Sequence, residues 1–432
     1  METLIKKLVD VKSGEIKALL WSFTYFFFLL ASYYILRPLR DEMGVAGGTR
    51  NLQWLFTATF LTLLAAAPLL AALVAKLPRS RFIPLVYLFF VVNILVFWVL
   101  LKAEWQTVYV ARTFFIWTAV FSVFTVSVFW SFMSDLYSSE QSKRLFAFIA
   151  AGGALGNLAG PLLIEQLVKP LGPANLLLVA AGMLTAAVVC ANRVEAAAAE
   201  VRAATPGFTA ASAGREKKPV GGGAFDGYML LLKSPYMGGI ALWVFLLSFA
   251  GTMLYFVQAD FVSHASDDPA TRLAIFARIE KWVAILTIAM QILATGRLIA
   301  KFGTGPAAAF LPLVFVVGFV ALAVHPVLLV VMAFQTLQRA ANFGVANPAR
   351  ESLFTVLSRD EKLKAKNIID GAVFRGADAL NGWIFKVLAS VMAIPMIAMV
   401  TAGIAGGWFV LSLALGRNQE RRANAASKSD SN

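Results

Sequence analysis

Runs of roughly twenty apolar residues recur along almost the whole chain, and each is long enough to cross the hydrocarbon core of a bilayer. A backbone in that core has no water to bond, so every N–H and C=O must be satisfied internally. Spans of this length therefore read as helices, and the fold class as an all-α membrane protein. With 59% hydrophobic and 14% charged residues among 432, and a mean hydropathy of +0.74, this is not a water-soluble chain. The net charge of +14 then reports topology, because Lys and Arg gather in cytoplasmic loops, and no nucleic-acid partner is expected.

Residues 1–17 carry four Lys and no cleavage-like site, so the first span is expected to stay as an anchor. METLIKKLVDVKSG reads either as a short amphipathic surface helix or as a frayed basic tail. Spans are expected near 18–35, 51–75, 82–101, 106–132, 145–168 and 173–191, and again near 237–262, 274–300, 306–324, 326–347, 367–392 and 395–415. That makes twelve transmembrane helices in two six-helix bundles, 1–191 and 236–416. Between them, 192–235 is a basic linker holding Arg193, Arg202, Arg215, Lys217 and Lys218, and 417–432 is a polar tail. Lys76, Arg79, Arg81, Lys143, Arg144, the linker, Arg297, Lys301, Arg350, Arg359, Lys362, Lys364 and Lys366 all fall on one side of the membrane. Both termini are therefore expected to be cytoplasmic, in a multi-pass membrane protein.

One span breaks the apolar rule. KNIIDGAVFRGADALNGWIFK, Lys366 to Lys386, places Asn367, Asp370, Arg375, Asp378, Asn381 and Lys386 within roughly 160° of arc at about 100° per residue. An ionisable group at mid-bilayer costs on the order of 3 kcal/mol or more, so such groups face a bundle interior or a wet cavity and usually mark a pathway. The expectation is a polar tunnel between the two halves, with the remaining chain as scaffold.

Other polar groups join that reading. Arg37, Arg40 and Asp41 share a helical face if the first span continues past Pro38, and otherwise form a solvated pair in an outer loop. Arg278, Glu280 and Lys281 sit in the outer third of the eighth span, with Glu280, Thr287 and Gln291 on one face. Gln335, Gln338, Arg339 and Asn342 line the tenth span, and Asn347, Arg350 and Glu351 close it. Arg112 stands near the outer end of the fourth span and Asp135 follows that span. Several intramembrane arginines suit a phosphate or carboxylate cargo, because the guanidinium fork matches those groups; structural ion pairs are the competing reading. Gly152, Gly156 and Gly160 form a small-residue stripe, read first as packing within the fold and second as a dimer interface. Trp21, Tyr25, Tyr33, Tyr34, Trp117, Trp130, Trp282 and Trp383 read mostly as lipid-facing or interface-belt aromatics.

Catalysis finds little support. Cys190 is the single cysteine, His264 and His325 are far apart, and neither HExxH nor a P-loop occurs. No metal and no cofactor is expected, and energy would come from counter-exchange or an ion gradient.

The 6 + 6 arrangement resembles the major facilitator superfamily. Gly296-Arg-Leu-Ile-Ala-Lys-Phe-Gly303 is similar to its signature loop between spans eight and nine, with Ala300 in place of the usual Asp, and Leu70–Arg81 is a weaker echo. More specifically, YYILRPLRDEMG (33–44), FWSFMSDLYSSEQSKRLF (129–146) and ARESLFTVLSRDEKLKAKNIIDGAVFRGADAL (349–380) resemble the ATP/ADP translocase-type nucleotide exchange transporters, bacterial branch. The resemblance implies a major facilitator-like antiporter of nucleotides in which basic residues hold the phosphates. Arg40 matches the Lys preceding Asp in span one, and Arg37, Asp41, Asp370 and Arg375 match as they stand. Asp378 falls where those carriers have a Lys, and Thr118 about where they have a Glu, so fold and transport class carry over further than the nucleotide does.

The expected function is thus a secondary transporter of an organic anion, a nucleotide in the leading reading, and not an enzyme. Arg37, Arg40, Arg339, Arg375, Asp378, Gln335 and Asn342 are expected to bind substrate, and Asp41, Glu280, Lys281, Asp370, Arg350 and Lys386 to couple or gate. Its partners are membrane lipid and a small anionic molecule such as ATP or ADP, and the chain is expected to act as a monomer. The alternative is an ion-coupled carrier of a phospholipid, sugar phosphate or peptide-like solute. A transport-dead sensor and an intramembrane enzyme using Asp370 and Asp378 are the readings from other classes.

Overall fold

The computed structural model describes residues 11, 15–76, 79–204, 234–295, 298 and 301–430, and these are helical nearly throughout. In chain order the helices are α1 (Ile16–Ala46), α2 (Leu52–Lys76), α3 (Arg79–Lys102), α4 (Thr107–Leu136), α5 (Ser139–Leu171), α6 (Leu176–Ala204), α7 (Pro235–Ala265), α8 (Pro269–Met290), α9 (Thr304–Val324), α10 (Leu328–Ala341), α11 (Asn347–Leu353), α12 (Arg359–Ile368), α13 (Phe374–Val391) and α14 (Ile394–Asp430). Polar side chains start several of them. Ser138 and Gln141 form a capping box on α5, and Ser358 and Glu361 form one on α12. Asp268 accepts from the Ala270 and Thr271 amides ahead of α8, with Pro269 at the first helical position.

Among the described residues, eight helices are long and apolar enough to cross a membrane: Ile16–Ala46, Ile83–Lys102, Thr107–Leu136, Glu140–Leu171, Leu176–Ala197, Pro235–Ala265, Thr304–Val324 and Ile394–Ala425. The chain is a multi-pass membrane protein, yet hydropathy alone supports eight spans rather than the expected twelve. The shortfall has a physical pattern. Helix α8 carries Arg272, Arg278, Glu280 and Lys281, and α13 carries Arg375, Asp378 and Lys386. Helices α10 and α11 are separated by a π-helical turn at Asn342–Ala346, and α12 and α13 by another at Ile369–Val373. Side chains of α2 beyond Pro68 lie outside the described set.

Two boundaries moved. Helix α6 runs on to Ala204, into the stretch expected to be linker, and α14 runs to Asp430 through the expected tail. Ala and Arg recur in both extensions, and these are strong helix formers. The remaining linker (205–233), the N-terminal stretch 1–10 and 12–14, and residues 296, 297, 299 and 300 of the signature loop lie outside the described residues, as do the side chains of the 70–81 echo.

The chain divides into two compact units that are not continuous in sequence. The first comprises 1–47, 61–219 and 268–281; the second comprises 48–60, 220–267 and 282–432. In the first, α1 packs on α4, α5 and α6, and α3 packs on α4 and α6. Its core runs from Leu19 and Phe26 through Tyr87, Phe114, Phe121 and Phe129 to Leu184. The α5 glycines explain the close α1–α5 contact: a methyl at Gly152, Gly156 or Gly160 would run into backbone atoms of Phe23, Phe27 and Tyr34. In the second unit α7 packs on α10, α13 and α14, and α9 on α10 and α14, which repeats the pairing scheme of the first. Trp243, Phe315, Phe334 and Trp408 fill its centre.

Candidate functional site

Helix α1 does not stop at Pro38. The proline sits inside a helix that reaches Ala46, so Arg37, Arg40, Asp41 and Glu42 lie on helical turns and not in a solvated loop. Proline is tolerated there because neighbouring helices can satisfy the freed carbonyl. Arg112 of α4 donates to Gly47 O at 3.0 Å, just past the helix end.

Four ion pairs gather these groups in the first unit. Arg37 Nε stands 3.2 Å from Glu280 Oε1, and Glu280 is almost fully buried. Arg40 Nη1 lies 3.6 Å from Asp41 Oδ1, while its Nε donates to Phe115 O at 3.2 Å and its guanidinium covers the Phe115 ring at 3.9 Å. Arg272 binds Glu42 at two points, Nη2 to Oε1 at 2.7 Å and Nε to Oε2 at 3.0 Å. Lys281 Nζ donates to Glu165 Oε2 at 2.6 Å, with Arg278 at 3.8 Å from the other carboxylate oxygen. The expected residues Arg37, Arg40, Asp41, Glu280 and Lys281 are thus brought together.

Glu42, Arg272 and Glu165 were not anticipated from sequence. Glu165 had a readable signal, since it is an acid within the apolar run PLLIEQLV. Arg272 had none, lying in an ordinary first helical turn. Thr118 is buried and its Oγ1 donates to Phe114 O at 2.8 Å. It back-bonds its own helix and adds no charge where a Glu would have stood.

The second unit holds the other group. Asp370 lies within the π turn Ile369–Val373, so the expected single face from Asn367 to Lys386 is interrupted. On its side of the turn, Arg350 Nη1 stands 3.1 Å from Asp370 Oδ1, a charge contact not aligned as a hydrogen bond. Glu351 accepts from Lys366 Nζ at 2.7 Å and lies 3.8 Å from Arg350. Beyond the turn, Asp378 Oδ2 lies 3.8 Å from Arg375, and its Oδ1 accepts from Ser248 of α7 at 2.6 Å. Asn381 is fully buried and donates to the same Ser248 Oγ at 3.1 Å.

On α10, Gln335, Gln338 and Arg339 are all buried, and Gln338 donates to Gln335 at 3.0 Å. Arg339 approaches the Phe343 ring at 5.9 Å. Asn342 opens the π turn and its Oδ1 has no hydrogen-bond partner. Lys386 stands apart from these groups: it is exposed, 5.5 Å from the Trp383 ring, whose indole donates to Thr57. Among the described residues no group of three His, Cys, Asp or Glu side chains is placed to hold a metal ion.

The arrangement suits competition for charge. Each of the carboxylates named above has a guanidinium or ammonium within 4.0 Å, so an incoming anion or cation could exchange for a partner already present.

The sequence matches no protein-family model and no curated protein sequence. The fold, in contrast, is found among solved transporters. A POT family transporter in complex with a thioalcohol-conjugated peptide superposes with a TM-score of 0.61 at 11% identity, covering 93% of this chain and 96% of that one. The nucleoside transporter NupG, as its D323A mutant, gives 0.59 at 13% identity, with 93% and 100% covered. A bacterial homologue of the human lysosomal transporter Spinster, in an inward-facing and unoccupied conformation, gives 0.57 at 12% identity, with 95% and 99% covered. At such identities the likeness speaks of architecture alone: the chain shares its fold with these solved transporters.

Proposed function

We propose that this protein is an ion-coupled secondary transporter moving a small organic anion across the membrane. The observation that carries this reading is the set of buried or half-buried ion pairs on helices of a transporter fold. Intramembrane charges are expensive to keep and commonly mark pathways or relays. In the first unit Arg37 and Arg40 would offer guanidinium groups to an anionic cargo, and in the second unit Arg339 and Arg375 would do so, with Gln335 and Asn342 as neutral polar groups. Asp41, Glu280, Lys281, Asp370 and Arg350 would trade partners between states. Twelve spans in two repeated six-helix bundles, with both termini cytoplasmic, complete the reading. The protein would work as a monomer in the bacterial inner membrane.

The pairing of the arginines bears on cargo. A triphosphate would need several uncompensated cations, whereas these clusters hold carboxylates close to their arginines. A solute with one or two negative charges, such as a sugar phosphate or an acidic peptide-like molecule, fits that balance better. Nucleotide exchange of the ATP/ADP type is the finer reading that the stretches at 33–44 and 349–380 support. Uptake into proteoliposomes of radiolabelled ATP, ADP, a sugar phosphate and an acidic dipeptide separates the two. Uptake of the low-charge solutes alone supports the proposal; ATP-for-ADP exchange replaces its cargo; no uptake of any by folded protein removes the transport claim.

A further inference from the structure

Helix α7 is buried from Leu247 to Ala259 except at Gly251 and Tyr255, one turn apart, which are partly accessible. A helix facing lipid leaves a whole stripe bare, so this gap is not a lipid-facing surface. A methyl on Gly251 would meet nothing within 4 Å. Gln258 continues the same face, seven residues beyond Gly251 and three beyond Tyr255. It is 4% exposed, yet its Oε1 has no hydrogen-bond partner and its Nε2 donates to no described residue. Turning this amide over would satisfy neither end.

A second buried amide lies close by, within the same unit. Phe56 of α2 meets the Tyr255 ring at 5.4 Å between centroids. Along α13, Ser248 meets Asp378 and Phe256 reaches Gly382, so α7 runs with it; Phe60 lies at Gly376 and Gln53 at Gly382, so α2 runs against it. One turn beyond the Phe56–Tyr255 contact, Gln53 and Gln258 thus come to about the same level. Gln53 is 1% exposed, its Nε2 is also without a partner, and the two amides do not bond each other. Buried amides left unmet are costly and rare, and two of them beside a tyrosine ring and an open space call for a ligand that supplies the missing partners.

We infer that Gln53 and Gln258, with the Tyr255 ring and the space at Gly251, form a binding site for a neutral amide group. An amide offers an N–H to Gln258 Oε1 and a carbonyl to the Nε2 donors, and its flat face suits a tyrosine ring. The site recognises an uncharged part of its ligand, apart from the arginines. Assigning that ligand as the cargo, a peptide-like anion, rests on the transporter reading.

The test follows the unfolding midpoint of purified full-length protein in detergent with two dianions: N-acetylglutamate, which carries an amide, and glutarate, which does not. At equal concentration N-acetylglutamate raises the wild-type midpoint more than glutarate does, as mass action requires of the tighter ligand of the folded state. Gln258→Leu leaves the ligand-free midpoint unchanged or higher, because an unmet polar group is gone, and raises the half-saturating N-acetylglutamate concentration about tenfold. Gly251→Leu, which fills the open space, weakens the same response and carries the test if Gln258→Leu does not fold. The site is overturned by equal shifts from the two dianions, by no shift from either, or by an unaltered N-acetylglutamate response in a folded variant. A ligand-free midpoint lowered by Gln258→Leu also overturns it, since the amide is then held by water in a structural role. An amide-dependent response without uptake of any solute keeps the site and removes the transporter; uptake without an amide-dependent response does the reverse.

Discussion

Arg272 grips Glu42 through two nitrogens, at 2.7 and 3.0 Å, across 230 residues of sequence. Glu42 is 1% exposed, so this is a desolvated two-point pair of the kind that fixes geometry as well as charge. It joins the end of α1 to the first turns of α8 within the first unit.

Removing one partner should hurt more than removing both. Glu42→Gln leaves the guanidinium without its counter-charge and should lower stability by about 3–5 kcal/mol. The Glu42→Gln, Arg272→Met double variant should recover a good part of that loss. Thermal unfolding of the four members of the cycle measures it, and strictly additive losses would show that the pair is not coupled.

Arg37 and Glu280 offer a separation of structure from transport. Exchanging them, Arg37→Glu with Glu280→Arg, keeps an opposite pair at the same place and should return the folded yield lost in either single variant. Transport should stay abolished, because the guanidinium that would meet the cargo has moved to another helix. Recovery of uptake in the exchanged protein would assign the pair a purely structural role.

The small-residue stripe makes a prediction with an internal control. Gly156→Ala places a methyl against the Phe27 carbonyl and the Ala31 amide, and should destabilise by about 1–3 kcal/mol, as overpacking does. Gly251→Ala on α7 meets nothing within 4 Å and should be neutral, or stabilising by up to about 1 kcal/mol from helix propensity. Melting temperatures of the two variants decide the matter, and equal losses would argue against a steric origin.

Asp268 gives a pH dependence outside the membrane-spanning segments. The Thr271 hydroxyl first, then the Ala270 amide, hold its carboxyl below the usual value of 3.8, with the Thr271 amide and Arg272 adding to the effect. A depressed folded-state pKa means that the stabilisation is present above the unfolded value and fades as pH falls through the folded one. Asp268→Asn keeps a capping side chain without the charge. As pH falls through the usual value of 3.8 and below it, the melting temperature of the wild type should fall more steeply than that of the variant. Parallel curves would show that the cap does not titrate.

How far the sequence could be read differs between the fold and the site. Apolar runs located most helices to within a few residues, whereas α1 ran on through Arg37–Glu42 to Ala46, and α6 and α14 ran past their hydrophobic ends because Ala and Arg continue a helix in water as well. The α13 charges were legible as a polar face. Their register was not, since the π turn at Ile369–Val373 adds a residue to one turn and shifts Asp370 relative to Asp378. Asp370 met Arg350, and Asp378 met Ser248, a lone hydroxyl in an apolar run that carries no signal by itself.

The sequence alone determined that this chain spans a membrane many times as helices, because a backbone in hydrocarbon must bond to itself and only the apolar runs can sit there. Tertiary structure decided which charge faces which. Glu42 found Arg272 and Lys281 found Glu165 over separations of 230 and 116 residues, and one-dimensional periodicity gives a face but not its opposite. Partner choice depends on how helices are packed and rotated, and that is set by contacts such as the α5 glycines against α1, spread over the whole of a unit.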